Sequence, residues 1–373
     1  MEKSFTDLIE EVQKPGLCHR CGGCVTFCSA INFGALELGG DGRPRYGDPE
    51  KCIECGICYM ICPVNHELDN EMRNLVNWQD PMGNVIGTTV VRAMDSEVRE
   101  AGTDGGAVTA VLLRLFDQGR IDGAVVSRQV GPFRRQPSLA RTRDDILAAA
   151  GSHYDESHGM EVLAGEYAAH PAYSTYSPSI QALGPLNRRS LNRVAFVGTP
   201  CQIRTMRKMQ ALGIVPSDAI KYVFGLFCTQ NFIFGERERI SLEKLGGFSW
   251  DDIARINVRE RLQIFTKDGQ VRKIGFDKLD FMIRPACRFC DDYSAEYADI
   301  SFGGVGAEPG WTTAISRTPV GRAVLADARD SVLEQYSLSQ NPTYASQALA
   351  KVEELSRRKK EFAVRCLDER QRA

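Results

Sequence analysis

The sequence predicts a mixed α+β chain in two parts, a small cysteine-rich module followed by a larger α/β body. Three observations carry this reading. Two identical cysteine runs fall within residues 18–62; a polar, turn-rich stretch follows them; and from Val85 onward short apolar β-type runs alternate with stretches of helical periodicity. With 373 residues and 43% hydrophobic content the chain is long enough for about two or three domains and a full core. A formal net charge of −2 argues against a general nucleic-acid binder. The N-terminus lacks the basic region and apolar stretch of a secretion signal, and the most apolar run, residues 107–116, is interrupted by Arg114 and too short to span a bilayer. A cytoplasmic protein is expected, able to sit peripherally on a membrane complex.

Spacing decides what the cysteines do. The chain has 13 of them, and in a large chain without a secretion signal clustered cysteines bind metal more often than they form disulfides. Cys18, Cys21, Cys24 and Cys28 are spaced x2, x2, x3, and Cys52, Cys55, Cys58 and Cys62 repeat that spacing before Pro63. This is the run of two-cluster bacterial ferredoxins, in which three thiolates wrap one 4Fe–4S cube and the fourth reaches its neighbour. Cys18, Cys21, Cys24 and Cys62 are therefore expected on one cluster, and Cys52, Cys55, Cys58 and Cys28 on the other. Gly22, Gly23 and Gly56 are expected to free the backbone for the tight wrap. A pair of zinc knuckles is the competing reading, which eight cysteines at duplicated ferredoxin spacing disfavour. Ser29 stands where proline usually follows the first run, so a looser turn is expected there.

Ahead of the cysteines, Phe5, Leu8, Ile9 and Val12 fall at i, i+3, i+4 and i+7 and predict a helix packed on the protein's own body. Residues 1–64 thus read as the two-cluster module with its N-terminal helix. Between residues 14 and 63 five Lys/Arg balance five acids, whereas a freely diffusing ferredoxin relies on an acidic surface, so the module reads as fixed in a larger assembly. Residues 65–84, polar and holding Pro81 and Gly83, read as a linker. In the body, residues 107–116 read as a helix, residues 123–128, 193–198 and 222–228 as strands, and residues 261–273 as a hairpin turning at Lys267-Asp268-Gly269.

Four more cysteines group by context: Cys201 in VGTPCQ, Cys228 in GLFCTQNF, and Cys287 with Cys290 in CRFC. They could converge on a third 4Fe–4S cluster. Equally, Cys201 and Cys228 could be small buried hydrophobes and the CxxC a redox pair or half a zinc site. Cys366, alone in a charged C-terminal helix, reads as a structural thiol. The turn Thr103-Asp104-Gly105-Gly106 precedes a helix and exposes amides at its positive end, where a phosphate can sit. Gly303-Gly304-Val305-Gly306 could admit a cofactor or simply make a tight bend.

The strings AGTDGGAVTAVL, GSHYDESHG, FVGTPCQI, GLFCTQNF, CRFCDDYSAEYADISFGGVG and GWTTAISRTPVG, in order across residues 85–330, resemble the family of beta subunits of coenzyme F420 hydrogenases and dehydrogenases. The resemblance implies a body over residues 85–340 that binds FAD and one 4Fe–4S cluster and exchanges a hydride with the deazaflavin coenzyme F420 as substrate. It implies Cys201, Cys228, Cys287 and Cys290 as ligands of that cluster, three clusters in all, with single electrons passing to a partner protein. By position in the same blocks it implies flavin contacts at Thr103, Asp104, Gly105, Gly106, Thr109, Thr199, Pro200, Asn231, Gly303 and Gly304. A two-cluster ferredoxin fused to such a body is similar to the input subunit of reduced-F420 dehydrogenases, which implies partner subunits of a dehydrogenase, hydrogenase or reductase complex. No acid–base side chain is implied for the chemistry.

Coenzyme F420 ends in an acidic tail, so Lys273, Lys278, Arg284 and Arg288 are candidates for a basic surface at its pocket. The run Arg357-Arg358-Lys359-Lys360, on a helical tail over residues 341–373, reads as a solvated face. His153 and His158 are assigned no chemistry. Two other readings stay open: the same flavoenzyme using NAD(P)H or a ferredoxin-reduced organic substrate, and a non-catalytic electron-transfer adaptor.

Overall fold

In the N-terminal module the duplicated cysteine run builds the same backbone twice. Arg20 (φ 53°) and Gly22 (φ 78°) flank Cys21, and Glu54 (φ 53°) and Gly56 (φ 72°) flank Cys55. Left-handed backbone on both sides of each middle cysteine curls the loop around the space its thiols enclose, at a cost for Arg20 and Glu54 that glycine avoids. The helices Gly23–Ala30 and Ile57–Met60 lead out of these loops, and the antiparallel pair β1 (Leu36–Leu38) and β2 (Pro44–Tyr46) closes the module. Ser29 lies inside the first of these helices, so the looser turn expected there does not form. Phe5, Leu8 and Val12 are buried in the module's core, Phe5 meeting the Tyr46 ring edge-on at 5.0 Å. The structure is a computed structural model and describes residues 3–31, 33–40, 42–131, 134–151, 191–258, 261–336 and 341–372.

The body is built on the strands β3 (Gly87–Ala93), β4 (Gly123–Gly131), β5 (Arg134–Ala140), β6 (Val194–Gly198), β7 (Ile220–Leu226), β8 (Ile253–Val258), β9 (Leu262–Thr266), β10 (Val271–Ile274), β11 (Ile300–Gly303), β12 (Thr312–Ser316) and β13 (Leu333–Gln335). Eight of them form one sheet in the order β13-β3-β12-β11-β7-β6-β4-β5. Its centre, β11-β7-β6-β4, is parallel, and its outer pairs are antiparallel. Both faces are buried, as a parallel centre requires, and side chains alternate between two cores. Val125, Val194, Phe196 and Val223 face one, while Ala124, Val126, Ala195 and Phe224 face the other. The helices Ala107–Asp117 and Pro319–Arg329 cover the second face. The expected hairpin forms β9 and β10, which with β8 make a small antiparallel sheet over a core of its own that includes Leu242, Ile256 and Ile264.

The first face is covered by the helix Pro200–Leu212, and here the two parts of the chain fuse. Ile203, Met206 and Met209 pack with Phe27, Ala30, Ile31 and Ile61 of the cysteine module in one continuous core. Each such fully buried side chain of leucine size or larger contributes about 1.5–3 kcal/mol, so the module is part of the core and not a tethered bead. Residues 65–84 are correspondingly more than a linker: they form the helix Asp69–Leu75, and Met72 and Val76, one turn apart, join the same core. Lys208, fully buried, donates to the carbonyls of Cys62 and Asn65, both at 2.8 Å. Arg317, also fully buried, donates to Ser301 Oγ (2.6 Å), the Met82 carbonyl (2.8 Å) and Ser294 Oγ (2.9 Å), tying the end of that segment to β11.

Gly23 has ordinary helical backbone and is a glycine for a different reason than Gly22. A Cβ at Gly23 would lie 2.1 Å from the Thr205 Cγ2 methyl. The C-terminal helix Tyr344–Arg372 is likewise no solvated tail: Val352 packs against Met82, Tyr293, Val305 and Ile315, and Lys359 and Lys360 turn inward. No helix among the described residues is long and apolar enough to cross a membrane.

The Gly23 contact predicts a paired outcome. Gly23→Ala should destabilise the protein by about 1–3 kcal/mol through overpacking, and adding Thr205→Ala should restore most of that loss. Denaturant midpoints of the two single variants and the double variant measure the coupling; additive effects would show that the two residues do not meet.

Candidate functional site

The four parallel strands end at one place. Val126 and Ser127 of β4, Val197 and Gly198 of β6, Leu226 of β7 with the following Phe227, and Phe302 and Gly303 of β11 line a cavity of about 250 Å³. Open parallel sheets place ligands in the crevice beyond these carboxyl ends. Two helices begin in the same wall, Ala107–Asp117 behind Gly106 (φ 70°) and Pro200–Leu212 behind Thr199, and their first-turn amides present positive ends to the cavity. Bare backbone lets the walls close in. A Cβ on Gly304 would stand 2.3 Å from the Asp104 carboxylate, and one on Gly303 2.2 Å from the Phe227 ring.

Thr103, Asp104, Gly106, Thr109, Thr199, Asn231, Gly303 and Gly304 all stand in this wall. Gly105 and Pro200 do not. The Gly105 N–H donates to Thr312 Oγ1 at 3.1 Å and its carbonyl accepts from Ala93, while Pro200 is buried in the first turn of its helix. The wall also holds His19 and Arg20, from the cysteine module, and Arg284 and Tyr293. Docking of the module brings the first two there, which no local pattern announces. Burial, together with the charges of Arg204, Lys359 and Arg284, pushes the His19 imidazole down to about 4, so it is neutral near pH 7. Its Nδ1 is buried without a hydrogen-bond partner among the described residues.

Burial, then repulsion from Cys21 and Cys18, pushes the Cys62 thiol up to about 12, whereas Cys28 is raised by burial and by Cys55 and Cys52. Each fourth cysteine thus lies beside the thiols of the opposite run. Cys58 is pushed up to about 12 by burial and by Cys55 and Cys52. Buried thiols gathered this way resist ionisation unless a cationic group lies among them, so the donor set fits iron–sulfur clusters. Among the described residues no three His, Cys, Asp or Glu side chains are gathered tightly enough for a single metal ion.

Cys201, Cys228, Cys287 and Cys290 also converge. Burial and then Cys21, Cys290 and Cys228 raise the Cys201 thiol. Burial raises Cys228 to about 12, with Cys287 and Cys290 adding to it and Lys359 opposing. The Asn231 N–H donates to Cys287 Sγ at 3.2 Å. Cys201 and Cys228 stand in the cavity wall with Cys21. Thr205 Oγ1 lies 3.3 Å from Cys21 Sγ and donates to the Cys201 carbonyl at 3.2 Å, so the two cysteine groups abut. Burial works against the Lys359 ammonium, but Cys290, Cys228, Cys287 and Asp292 outweigh it and hold its pKa above the ordinary range.

The basic residues divide. Lys273 and Lys278 line a second cavity, about 520 Å³, together with Arg261 and Asp277. Arg284 is instead buried in the first cavity's wall, its Nη1 donating to the His19 carbonyl at 3.1 Å, and Arg288, partly exposed, donates to the Asp280 carbonyl at 3.1 Å outside the second cavity's lining. The small sheet links the cavities: Val258, in the wall of the first, pairs with Leu262, which pairs with Ile274 in the wall of the second. His153 and His158 lie outside the described residues.

Comparison with known proteins bears on this arrangement. Residues 88–164 and 191–340 match the family described as coenzyme F420 hydrogenase/dehydrogenase, beta subunit, in its N-terminal and C-terminal parts, and residues 10–63 match the 4Fe–4S dicluster domain. The chain is 30% identical over 287 residues to the beta subunit of the coenzyme F420 hydrogenase of Methanococcus voltae, covering 75% of this chain and 93% of that one. It is 25% identical over 372 residues to one subunit of the F(420)H(2) dehydrogenase of Methanosarcina mazei, covering 94% and 92%. A chain of the F420-reducing nickel–iron hydrogenase complex from Methanosarcina barkeri matches with a TM-score of 0.65 at 27% identity, over 78% of this chain and 94% of that one.

Proposed function

The chain belongs to the family of coenzyme F420 hydrogenase/dehydrogenase beta subunits, and from that premise we propose that it carries electrons between coenzyme F420 and a partner redox subunit, by way of FAD and three 4Fe–4S clusters. The observation that carries this is the shared wall: Cys201, Cys228 and Cys21 line the same cavity as the two helix N-termini and the glycine turn. A two-electron site and the start of a one-electron path thereby adjoin. FAD, when bound, would supply the conversion between a hydride from reduced F420 and the single electrons that clusters accept.

The chain's own residues do the rest. The amides behind Gly106 and Thr199 would hold a diphosphate, because both helix ends are positive where they meet the cavity. Gly303 and Gly304 let the Phe227 ring and the Asp104 carboxylate close against the strand end, where they would border a planar ring system, and neutral His19 offers Nδ1 to a polar group on it. Lys273, Lys278 and Arg261, one small sheet away, would take the acidic tail of F420. From the Cys201 group electrons would pass by Thr205 to the Cys18, Cys21, Cys24 and Cys62 cluster, and then to that of Cys28, Cys52, Cys55 and Cys58. The last lies under an open surface, since Ile53, between Cys52 and Cys55, is 58% exposed. That loop is where a partner subunit would collect the electrons.

Cys201→Ala should lose about a third of the iron while keeping the ferredoxin-type signals, because each cluster has its own four ligands; undiminished iron by metal analysis would refute the third cluster. Gly304→Ala, which drives a methyl into the Asp104 carboxylate, should purify with its iron but lose most of its flavin, read by absorbance. Anaerobic assays with an artificial one-electron acceptor should show oxidation of reduced F420 and none of NADPH, and Lys273→Glu with Lys278→Glu should raise KM for F420 by about tenfold, equivalent to ~1.4 kcal/mol. Turnover with NADPH alone would replace F420 as the hydride partner, and failure of the fully loaded protein with both would leave an electron-transfer adaptor.

A further inference from the structure

We propose that Lys359, a buried cation on the C-terminal helix, sets the reduction potential of the cluster held by Cys201, Cys228, Cys287 and Cys290. The inference rests on the third cluster proposed above.

Lys359 is only 9% exposed. Its Nζ donates to the carbonyls of Cys228 (2.6 Å) and Asp292 (2.8 Å). One carbonyl belongs to a cluster cysteine and the other lies two residues beyond Cys290, so the ammonium bridges the two stretches of chain that bring these thiols together. Other cations stand nearby: Arg204, paired with Asp291 at 2.9 Å, also bears on Cys290, and Arg284, which reaches the His19 carbonyl, also bears on Cys228, but Lys359 acts more strongly than either on these thiols. Lys360 pairs with Glu296 at 2.9 Å. Two carbonyls alone do not call for a charged donor, since a neutral amide could serve both without the desolvation cost of an ammonium. The negative charge of the cysteine cage explains why a cation stands there.

Reduction adds one electron to the cluster and makes its net charge more negative by one, with no bond broken and no proton taken up. In the proposed route that electron comes from the reduced flavin and leaves to the cluster of Cys18, Cys21, Cys24 and Cys62. A fixed positive charge in a buried, low-dielectric position favours the reduced form and raises the potential. The C-terminal helix thereby acts as a positioning element for electron transfer although it contributes no ligand. The stripe Ala348, Val352, Ser356, Lys359 and Ala363, all buried, holds the helix in register to do so.

Potentiometric titration of the reconstituted protein, followed by electron paramagnetic resonance, tests this with three variants. Lys359→Gln keeps hydrogen-bond donors and removes the charge, Lys359→Met removes both, and Lys359→Arg keeps the charge. One of the three cluster midpoints should move to lower potential in the Gln and Met variants, stay near wild type in Arg, and leave the other two midpoints unmoved. Unchanged midpoints in a Gln or Met variant that retains all its iron would overturn the proposal. Loss of the third cluster's iron from both would make Lys359 a structural residue and overturn it too. Wild-type protein that holds iron for only two clusters would instead refute the cluster itself, so the two failures are told apart.

Discussion

A methyl group of Thr205 occupies the place where a side chain at Gly23 would have to be, and through that contact one helix serves both halves of the molecule. From its start the helix Pro200–Leu212 presents Cys201 to one group of thiols, Thr205 to Cys21, and Lys208 to the carbonyls of Cys62 and Asn65. These positions lie four and three residues apart and so share a face. Ile203, Met206 and Met209, on the core side, seal the same helix against Phe27, Ile31 and Ile61. Were the module tethered by a flexible linker, its thiols would sample many distances from Cys201. Docked by this helix, they keep one.

The second constraint is electrostatic. Gathering buried thiolates is unfavourable unless positive charge is gathered with them, and cations approach the cysteines from three directions. Lys208 stands at Cys62, Arg284 reaches back to His19 between the module and the body, and Lys359 enters from the C-terminal helix. The last two of these charges, with Arg204, also help to keep His19 neutral. Family membership accounts for the pattern of cysteines and glycines, and these three cations show how the pattern is held inside a folded protein.

What could be read beforehand was local. The duplicated cysteine spacing needs only a few consecutive residues, and both left-handed loops follow from it. The helix after Gly106, the strands ending at Gly198 and Leu226 and the hairpin of β9 and β10 have apolar periods or turn residues that name them. Gly23 was legible as a glycine with a purpose, though its purpose is a close approach to a residue far along the chain and not a torsion angle. Leu68, Met72, Leu75 and Val76 do fall at helical spacing, but the polar surroundings with Pro81 and Gly83 dominate the local pattern, so a core helix reads as a linker. His19 and Arg20 reach the cavity only through docking. Lys359 is the instructive case. Its neighbours Arg357, Arg358 and Lys360 make it look solvated, yet the spacing Ala348, Val352, Ser356, Lys359 and Ala363 is a helical stripe, and following that stripe would have placed the lysine inward.

In the proposed route a hydride donor bound at the strand ends feeds the cysteine-held clusters by way of FAD. Fully loaded protein, mixed anaerobically with one equivalent of reduced F420 and frozen within the first turnover, tests it through absorbance and electron paramagnetic resonance. The absorbance of oxidised F420 should return together with signals of reduced clusters. Return of that absorbance while every cluster stays oxidised would contradict it.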